Sequence, residues 1–280
     1  MRGAFLFALT IGLIVGSIRL TQGLQTNDLW LAYGSAQLWW AGQPPYDYPT
    51  NGWPSNPMTT ILVLLPFACW LPLDIVGAGM IALSTGVLVY GIAHSGNLAK
   101  LWVLASWPFW YNVIYAQWGI LFLAILMVPK LTWLTPIKPQ LGMGIFLANV
   151  RWRQFVYTSL FLVLSWLADP GWPNRWLAQV DSYDGFLPLL YAPLAIGGLL
   201  TILLPYRGLN RKHLWFLIFC LTPQRPWHDQ VLLWHGPSQW WMLALMSAMS
   251  WTAILYPTID HTPVLVGLFV AAGVGLIIHP

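Results

Sequence analysis

Asp28 is the side chain of this chain best placed for acid–base work. It follows an apolar run, Ala4 to Leu20, and sits in a loop, Thr21 to Pro57, that contains no Lys or Arg. A carboxylate where a membrane helix meets water is costly to keep, so it invites a functional explanation. Partly buried, it can serve as general base on an acceptor hydroxyl, because burial raises its pKa toward a useful value. The same position also suits capping, with Asn27 or Asp28 accepting backbone N–H bonds at the start of a helix. Asp47 lies further along, in Gly42-Gln43-Pro44-Pro45-Tyr46-Asp47-Tyr48-Pro49. Pro-rich turns carry Asp for local reasons, so a direct role and a turn role both stay open there.

Cations come from two other places. Lys138, in Ile137-Lys138-Pro139-Gln140, is an ammonium beside an apolar segment. It can hold a lipid phosphate or pyrophosphate, or snorkel to the interface. Thr222-Pro223-Gln224-Arg225-Pro226-Trp227-His228-Asp229 packs a cation, an imidazole and a carboxylate between two apolar spans. Arg225 can neutralise a phosphate, and His228 can shuttle a proton or hold the donor phosphate; a polar turn with an interfacial Trp is the plainer account. Asp169, Asp181 and Asp184 are expected to be solvated loop charges. No His-Glu-x-x-His or Cys-x-x-Cys spacing occurs, and no Gly-x-x-x-x-Gly-Lys loop or Gly-x-Ser-x-Gly elbow. A metal site, bound cofactor or built-in ATPase is therefore not expected.

The elements that must position these groups are membrane spans. Of 280 residues, 58% are hydrophobic and 7% charged, against about 25% charged in soluble domains. The expected fold is all-α, a single transmembrane domain over 1–280. Candidate spans fall near 4–20, 58–73, 75–93, 100–116, 117–129, 137–150, 154–168, 186–205, 213–222, 231–249 and 263–279, about 10 to 11 in number. The first has Arg2 before it and no clear cleavage site, so it reads as retained. Several are short of the roughly 20 residues a crossing needs; short or Pro-interrupted spans survive where protein or a cavity covers their ends.

All eight acids are Asp, and the net charge is +4. The basic residues gather in short connections, which points to anionic lipid rather than nucleic acid as partner. Arg151 and Arg153, and then Arg207, Arg211 and Lys212, mark cytoplasmic connections. The first loop (21–57) and the 169–184 connection are expected outside. Five segments separate the first loop from Arg151, and an odd number satisfies both assignments. Asp28 to Ala41 reads as a helix on the membrane surface, and the prolines after it fold the rest of the loop into a lid. Cys69 and Cys220 read as reduced core residues.

Taken in order, these residues resemble the polyprenol-phosphate-mannose-dependent mannosyltransferases of the membrane GT-C superfamily. The matching positions are Asp28 and Tyr33, Gly42 through Pro49, Asn56-Pro57, Leu65-Pro66-Phe67-Ala68, Trp107-Pro108 leading to Ala116-Gln117, Lys138-Pro139-Gln140, Arg151-Trp152-Arg153, and Thr222-Pro223 through Trp227-His228. The resemblance implies a GT-C-like helical bundle at the cytoplasmic membrane with its active site on the external face. It implies an inverting transfer of a hexose, mannose by the family's habit, from a polyprenyl-phosphate donor to a glycan or glycolipid. Asp28 would be the catalytic base, and Tyr46, Asp47, Gln117, Lys138, Gln140, Arg225 and His228 would bind substrate. The chain departs from the family in two places. No Asn follows Ala116-Gln117, and Asp229 stands where a Tyr commonly follows the His. Two other classes use the same cavity: a catalytically degenerate scaffold or accessory subunit of a membrane complex, and a lipid-linked-saccharide transporter.

Overall fold

A computed structural model describes residues 2–23, 27–49, 56–180, 185–206, 211–255 and 260–278. The side chains of 27, 28, 179, 180, 201, 203–206 and 212 lie outside the described residues, as do Asp181, Asp184 and Arg207 altogether. The fold is all-helical. Among the described residues the only pairing of extended backbone is one antiparallel bridge, Phe186 with Gln224.

The chain opens with α1 (Arg2–Gln22), α2 (Asn27–Trp40), α3 (Met58–Ala68) and α4 (Leu73–Ser95). A 3₁₀ segment, Leu98–Ala105, leads into α5 (Trp107–Tyr115), followed by α6 (Gly119–Met127). A second 3₁₀ segment, Pro129–Ile137, precedes α7 (Pro139–Asn149), α8 (Trp152–Ala168) and α9 (Trp172–Val180). The remainder comprises α10 (Pro188–Tyr191), α11 (Pro193–Tyr206), α12 (Arg211–Leu221), a 3₁₀ segment Asp229–His235, α13 (Trp240–Ser250), α14 (Thr252–Leu255) and α15 (Thr262–Ile278). Helices α1 and α4, of 21 and 23 residues, are long and apolar enough to cross a membrane, each with a window of mean hydropathy 1.9. At about 1.5 Å per residue they exceed 30 Å.

These two helices set the axis of the bundle. A Cβ at Gly12 would lie 2.5 Å from the Ala82 carbonyl, and one at Gly16 would lie 2.7 Å from the Ala82 side chain. Small residues on both partners thus let the backbones touch. Arg19, one turn from the end of α1, rests against Gly77 near the start of α4, so the pair is antiparallel. The end at which α1 finishes is called the upper end here. Helix α5 climbs to it, because its last carbonyls, Val113 and Ile114, accept the Arg19 guanidinium. Helix α6 starts there, with Gly119 against the His228 carbonyl, and ends low, with Met127 and Val128 against Gly91.

Five traverses do separate the first loop from Arg151, but they are not the five read from sequence. The expected span 58–73 stops at Ala68: Trp70 and Leu71 donate to the Phe67 carbonyl in a closing turn, and Pro72 stands at the start of α4, while Pro66 is accommodated inside α3. Helix α3 lies across the upper end. Its first turn is tied to the carbonyls of Pro136 and Ile137, and the turn after it accepts Tyr33 at Leu71. The missing traverse is supplied by Pro129–Ile137, which sequence reading treated as a connection. The expected span 231–249 is likewise two limbs. Asp229–His235 descends, Gly236-Pro237 breaks the chain, and α13 climbs back alongside Leu98–Ala105, with Ser247 donating to Trp102 and Trp251 to Ala105. The expected span 186–205 breaks at Ala192 into α10 and α11.

The expected surface helix 28–41 is α2, but it is not laid on a surface. Leu29 and residues 31–36 are buried around its whole circumference. Asp169 is also not a solvated charge. Its carboxylate pairs with Arg175, and its side chain is 13% exposed.

Charge divides along the axis. The five Asp with described side chains, 47, 74, 169, 229 and 260, all fall in segments at the upper end. Of the cations with described side chains, Arg2, Lys100, Lys130, Arg151, Arg153 and Arg211 fall in segments at the lower end, and Arg19, Lys138, Arg175 and Arg225 at the upper end beside the Asp residues. Exposed Phe5, Leu6, Leu9, Leu13 and Leu83 line the flank between them.

Candidate active site

At the upper end three distant segments close on one another. The first is the start of α7. Thr59 and Thr60 fix the backbone just before Lys138, and the Lys138 carbonyl accepts the amides of Leu141 and Gly142. Gly142 packs directly on the Thr135 carbonyl, where a Cβ would overlap the oxygen. This clash is with backbone, which cannot swing aside. A Gly142→Ala variant is therefore expected to lose about 1–3 kcal/mol of stability through forced backbone shifts, read as a lower unfolding midpoint in detergent. An unchanged midpoint would remove this packing from the account.

Lys138 sits at the positive end of the α7 dipole, the wrong place for a cation. Asp229 corrects this. Its Oδ1 lies 3.2 Å from Lys138 Nζ, with the two side chains 5% and 0% exposed. The other oxygen, Oδ2, accepts the Arg225 backbone amide at 2.7 Å. One buried carboxylate thus binds the α7 start to the 222–229 segment. A donor phosphate approaching Lys138 would have to compete with it.

The second segment is the α5–α6 elbow. Asn112 Nδ2 donates to the Pro108 carbonyl at 2.7 Å and to the His228 carbonyl at 2.8 Å. Its own carbonyl accepts the Gln117 amide at 2.9 Å. Gly119 fits between the Asn112 side chain and the His228 carbonyl, where a Cβ would stand 2.5 Å from each. Gln117 is 1% exposed, so its amide group belongs to the interior. The His228 ring is 4.5 Å, centroid to centroid, from Tyr111 and 6.4 Å from Tyr115.

Two residues are strained. Among the described non-glycine residues, only Ala116 (φ 48°) and Trp227 (φ 66°) have left-handed backbones. Each immediately precedes an expected substrate residue, Gln117 or His228, and Asn112 ties the two together. Strain of this kind persists only where surrounding structure over-determines it, and it clusters at functional sites.

The third segment is the first loop. Tyr46 is buried, with the Arg175 guanidinium 5.4 Å over its ring. Burial, and then the charge of Asp169, push its hydroxyl above the ordinary tyrosine pKa. Arg175 is held more firmly protonated by its hydrogen bond to Asp169. Asp47 is exposed and within electrostatic reach of Arg175. Asp28 lies in the first turn of α2, with its side chain outside the described residues. Gln140 is half-buried in the first turn of α7.

The structure therefore joins Lys138 and the Arg225 amide through Asp229, and links the Gln117 backbone to the His228 carbonyl through Asn112. Tyr46 and Asp47 belong to a separate seam with Arg175. Sequence reading missed Asn112, Arg19 and the partnership of Asp229. The last had a signal, since a lysine opening an apolar helix requires a counter-ion. A groove of about 920 Å³ lies elsewhere, on the α1–α4 flank between Arg2 and Tyr90, with apolar walls from Leu6, Leu9, Leu13 and Leu83. No family model, curated protein or solved structure matches this chain.

Proposed function

We propose that this chain is a multi-spanning protein of the cytoplasmic membrane that transfers a hexose, mannose in the first instance, from a polyprenyl-phosphate donor to an extracytoplasmic glycan or glycolipid. The observation that carries the reading is the pair of strained elbows at Gln117 and His228, locked by Asn112 at the acidic end of the bundle. The charge division supports the orientation: an Arg/Lys-rich end facing the cytoplasm leaves this cluster on the external side. Apolar flanks on α1 and α4 supply the lipid-facing surface.

In the reaction, Asp28 takes the proton of the acceptor hydroxyl as its oxygen attacks the anomeric carbon from the face opposite the phosphate. The bond from that carbon to the phosphate oxygen breaks, the configuration inverts, and polyprenyl phosphate departs with the bonding pair. Arg225, whose backbone amide is held by Asp229, is assigned the leaving phosphate by charge type. His228, in its tyrosine cage, can hold or protonate a phosphate oxygen. Lys138 serves first to position the 222–229 segment.

A second reading is a catalytically degenerate scaffold of the same architecture. One observation favours it: the Lys138 charge is already matched by Asp229. The deciding experiment reconstitutes the purified protein with labelled polyprenyl-phosphate-mannose and a membrane glycolipid extract. Release of polyprenyl phosphate together with a new glycosylated product is expected. No release with several polyprenyl-phosphate sugars would transfer the assignment to the scaffold.

A further inference from the structure

The seam between the first loop and the α8–α9 corner holds three polar atoms that are buried without a well-aligned hydrogen-bond partner among the described residues: Tyr46 hydroxyl, Asp169 Oδ2 and Trp172 Nε1. Tyr46 is 9% exposed, Trp172 7%, and the Asp169 side chain 13%. The Met58 backbone forms a weak hydrogen bond with the Tyr46 hydroxyl, too poorly aligned to satisfy it, so the hydroxyl keeps capacity for a ligand.

The groups belong to one place. Arg175 stacks over the Tyr46 ring and pairs with Asp169, whose charge in turn acts on the Tyr46 hydroxyl. Asp169 Oδ1 also accepts the Gly171 amide, and the Asp169 carbonyl accepts the Trp172 amide at 3.1 Å. Native folds leave few such groups unsatisfied, so a cluster of them among the described residues is a candidate binding place.

We propose that this seam binds the hydroxyls of a neutral saccharide and is the acceptor subsite of the transferase. Calling the saccharide the acceptor rests on the glycosyltransferase reading; the binding itself does not. The chemistry of the orphaned groups selects the ligand. An indole N–H only donates, a carboxylate oxygen only accepts, and a phenol does both. A polyol offers both donors and acceptors, so it matches each of these three kinds of group. Trp176, packed 6.3 Å from Trp172, and the Tyr46 ring add apolar faces for sugar C–H groups. Phosphorylated ligands are disfavoured, because Asp47 and Asp169 outweigh the single cation Arg175. Arg175, with its side chain 47% exposed, is the outermost member and the one free to swing aside.

The test uses the full chain in detergent micelles, with mannobiose and mannose 1-phosphate as probes, read by saturation-transfer NMR and calorimetry. Mannobiose is expected to bind and the phosphate not to compete. Tyr46→Phe should weaken mannobiose by about tenfold while leaving the melting temperature unchanged or raised, since it deletes a buried hydroxyl that has no well-aligned partner. Trp172→Phe should weaken binding in the same way. Absence of mannobiose binding, equal binding of the phosphate, or a Tyr46→Phe variant that melts earlier yet binds as before would overturn the subsite. Mannobiose binding lost in Tyr46→Phe, with no transfer from any donor, would leave the subsite standing and remove the glycosyltransferase. Transfer with an unchanged acceptor KM in Tyr46→Phe would do the reverse.

Discussion

A Lys138→Met variant is expected to lose about 3–5 kcal/mol of stability, because it strands Asp229 as an uncompensated charge in the interior. The carboxylate would keep only the Arg225 amide among the contacts described above, and water does not reach a side chain that is 0% exposed. Replacing both partners should undo most of the damage. A Lys138→Met/Asp229→Leu double variant removes both desolvation penalties and refills the volume, which is often neutral for buried pairs. The measurement is a denaturant midpoint for both single variants and the double variant in the same micelles. Additive losses in the double variant would show that the two residues do not act as a pair. The double variant also separates structure from chemistry. If it is stable and still turns over, Lys138 only positions the loop; if it is stable and inert, Lys138 also meets the phosphate.

The second large effect is expected at Asp28. On the transferase proposed above, Asp28→Asn should lower transfer by about 10²–10⁴-fold, the usual contribution of a positioned general base. Asp28 lies inside the first turn of α2, where losing a carboxylate costs only about 0.3–1 kcal/mol through the helix dipole, so the melting temperature should stay near that of the native protein. This combination tells the two uses of Asp28 apart. Equal turnover in both proteins would take Asp28 out of the mechanism and leave it as a first-turn carboxylate of α2. A fall in both stability and turnover would point to a structural carboxylate.

The sequence carried the helical class and the segregation of charge, because those depend on composition and on where Lys and Arg lie. It carried the Asp28–Ala41 helix through its periodicity, though not its depth, since periodicity cannot show that α3 and α4 close over a helix. The traverses were less legible. A 3₁₀ segment such as Pro129–Ile137 gives up less hydropathy signal per ångström than an α-helix, so it read as a link. Met58–Leu73 read as a span because hydropathy does not register that the turn after Ala68 and Pro72 divide it. The site was half legible. Lys138 and the 222–229 segment stood out by type and order, and the Lys138–Asp229 ion pair joins them. Asn112 did not, because an Asn in an apolar window has no spacing partner. Asp169 was misread because its partner, Arg175, lies across a corner, and only the fold presses that corner onto Tyr46.

Arg19 bears on how such a chain is made. Its guanidinium is anchored on carbonyls 94 and 95 residues downstream. A ribosome feeding the first helix into a bilayer delivers that cation long before the acceptors exist. In the interval the arginine must rest on lipid phosphate or interfacial water, and α1 cannot seat against α4 and α5 until the latter emerges. Seating of the Arg19 end of α1 on α5 is therefore a late event in the making of the chain.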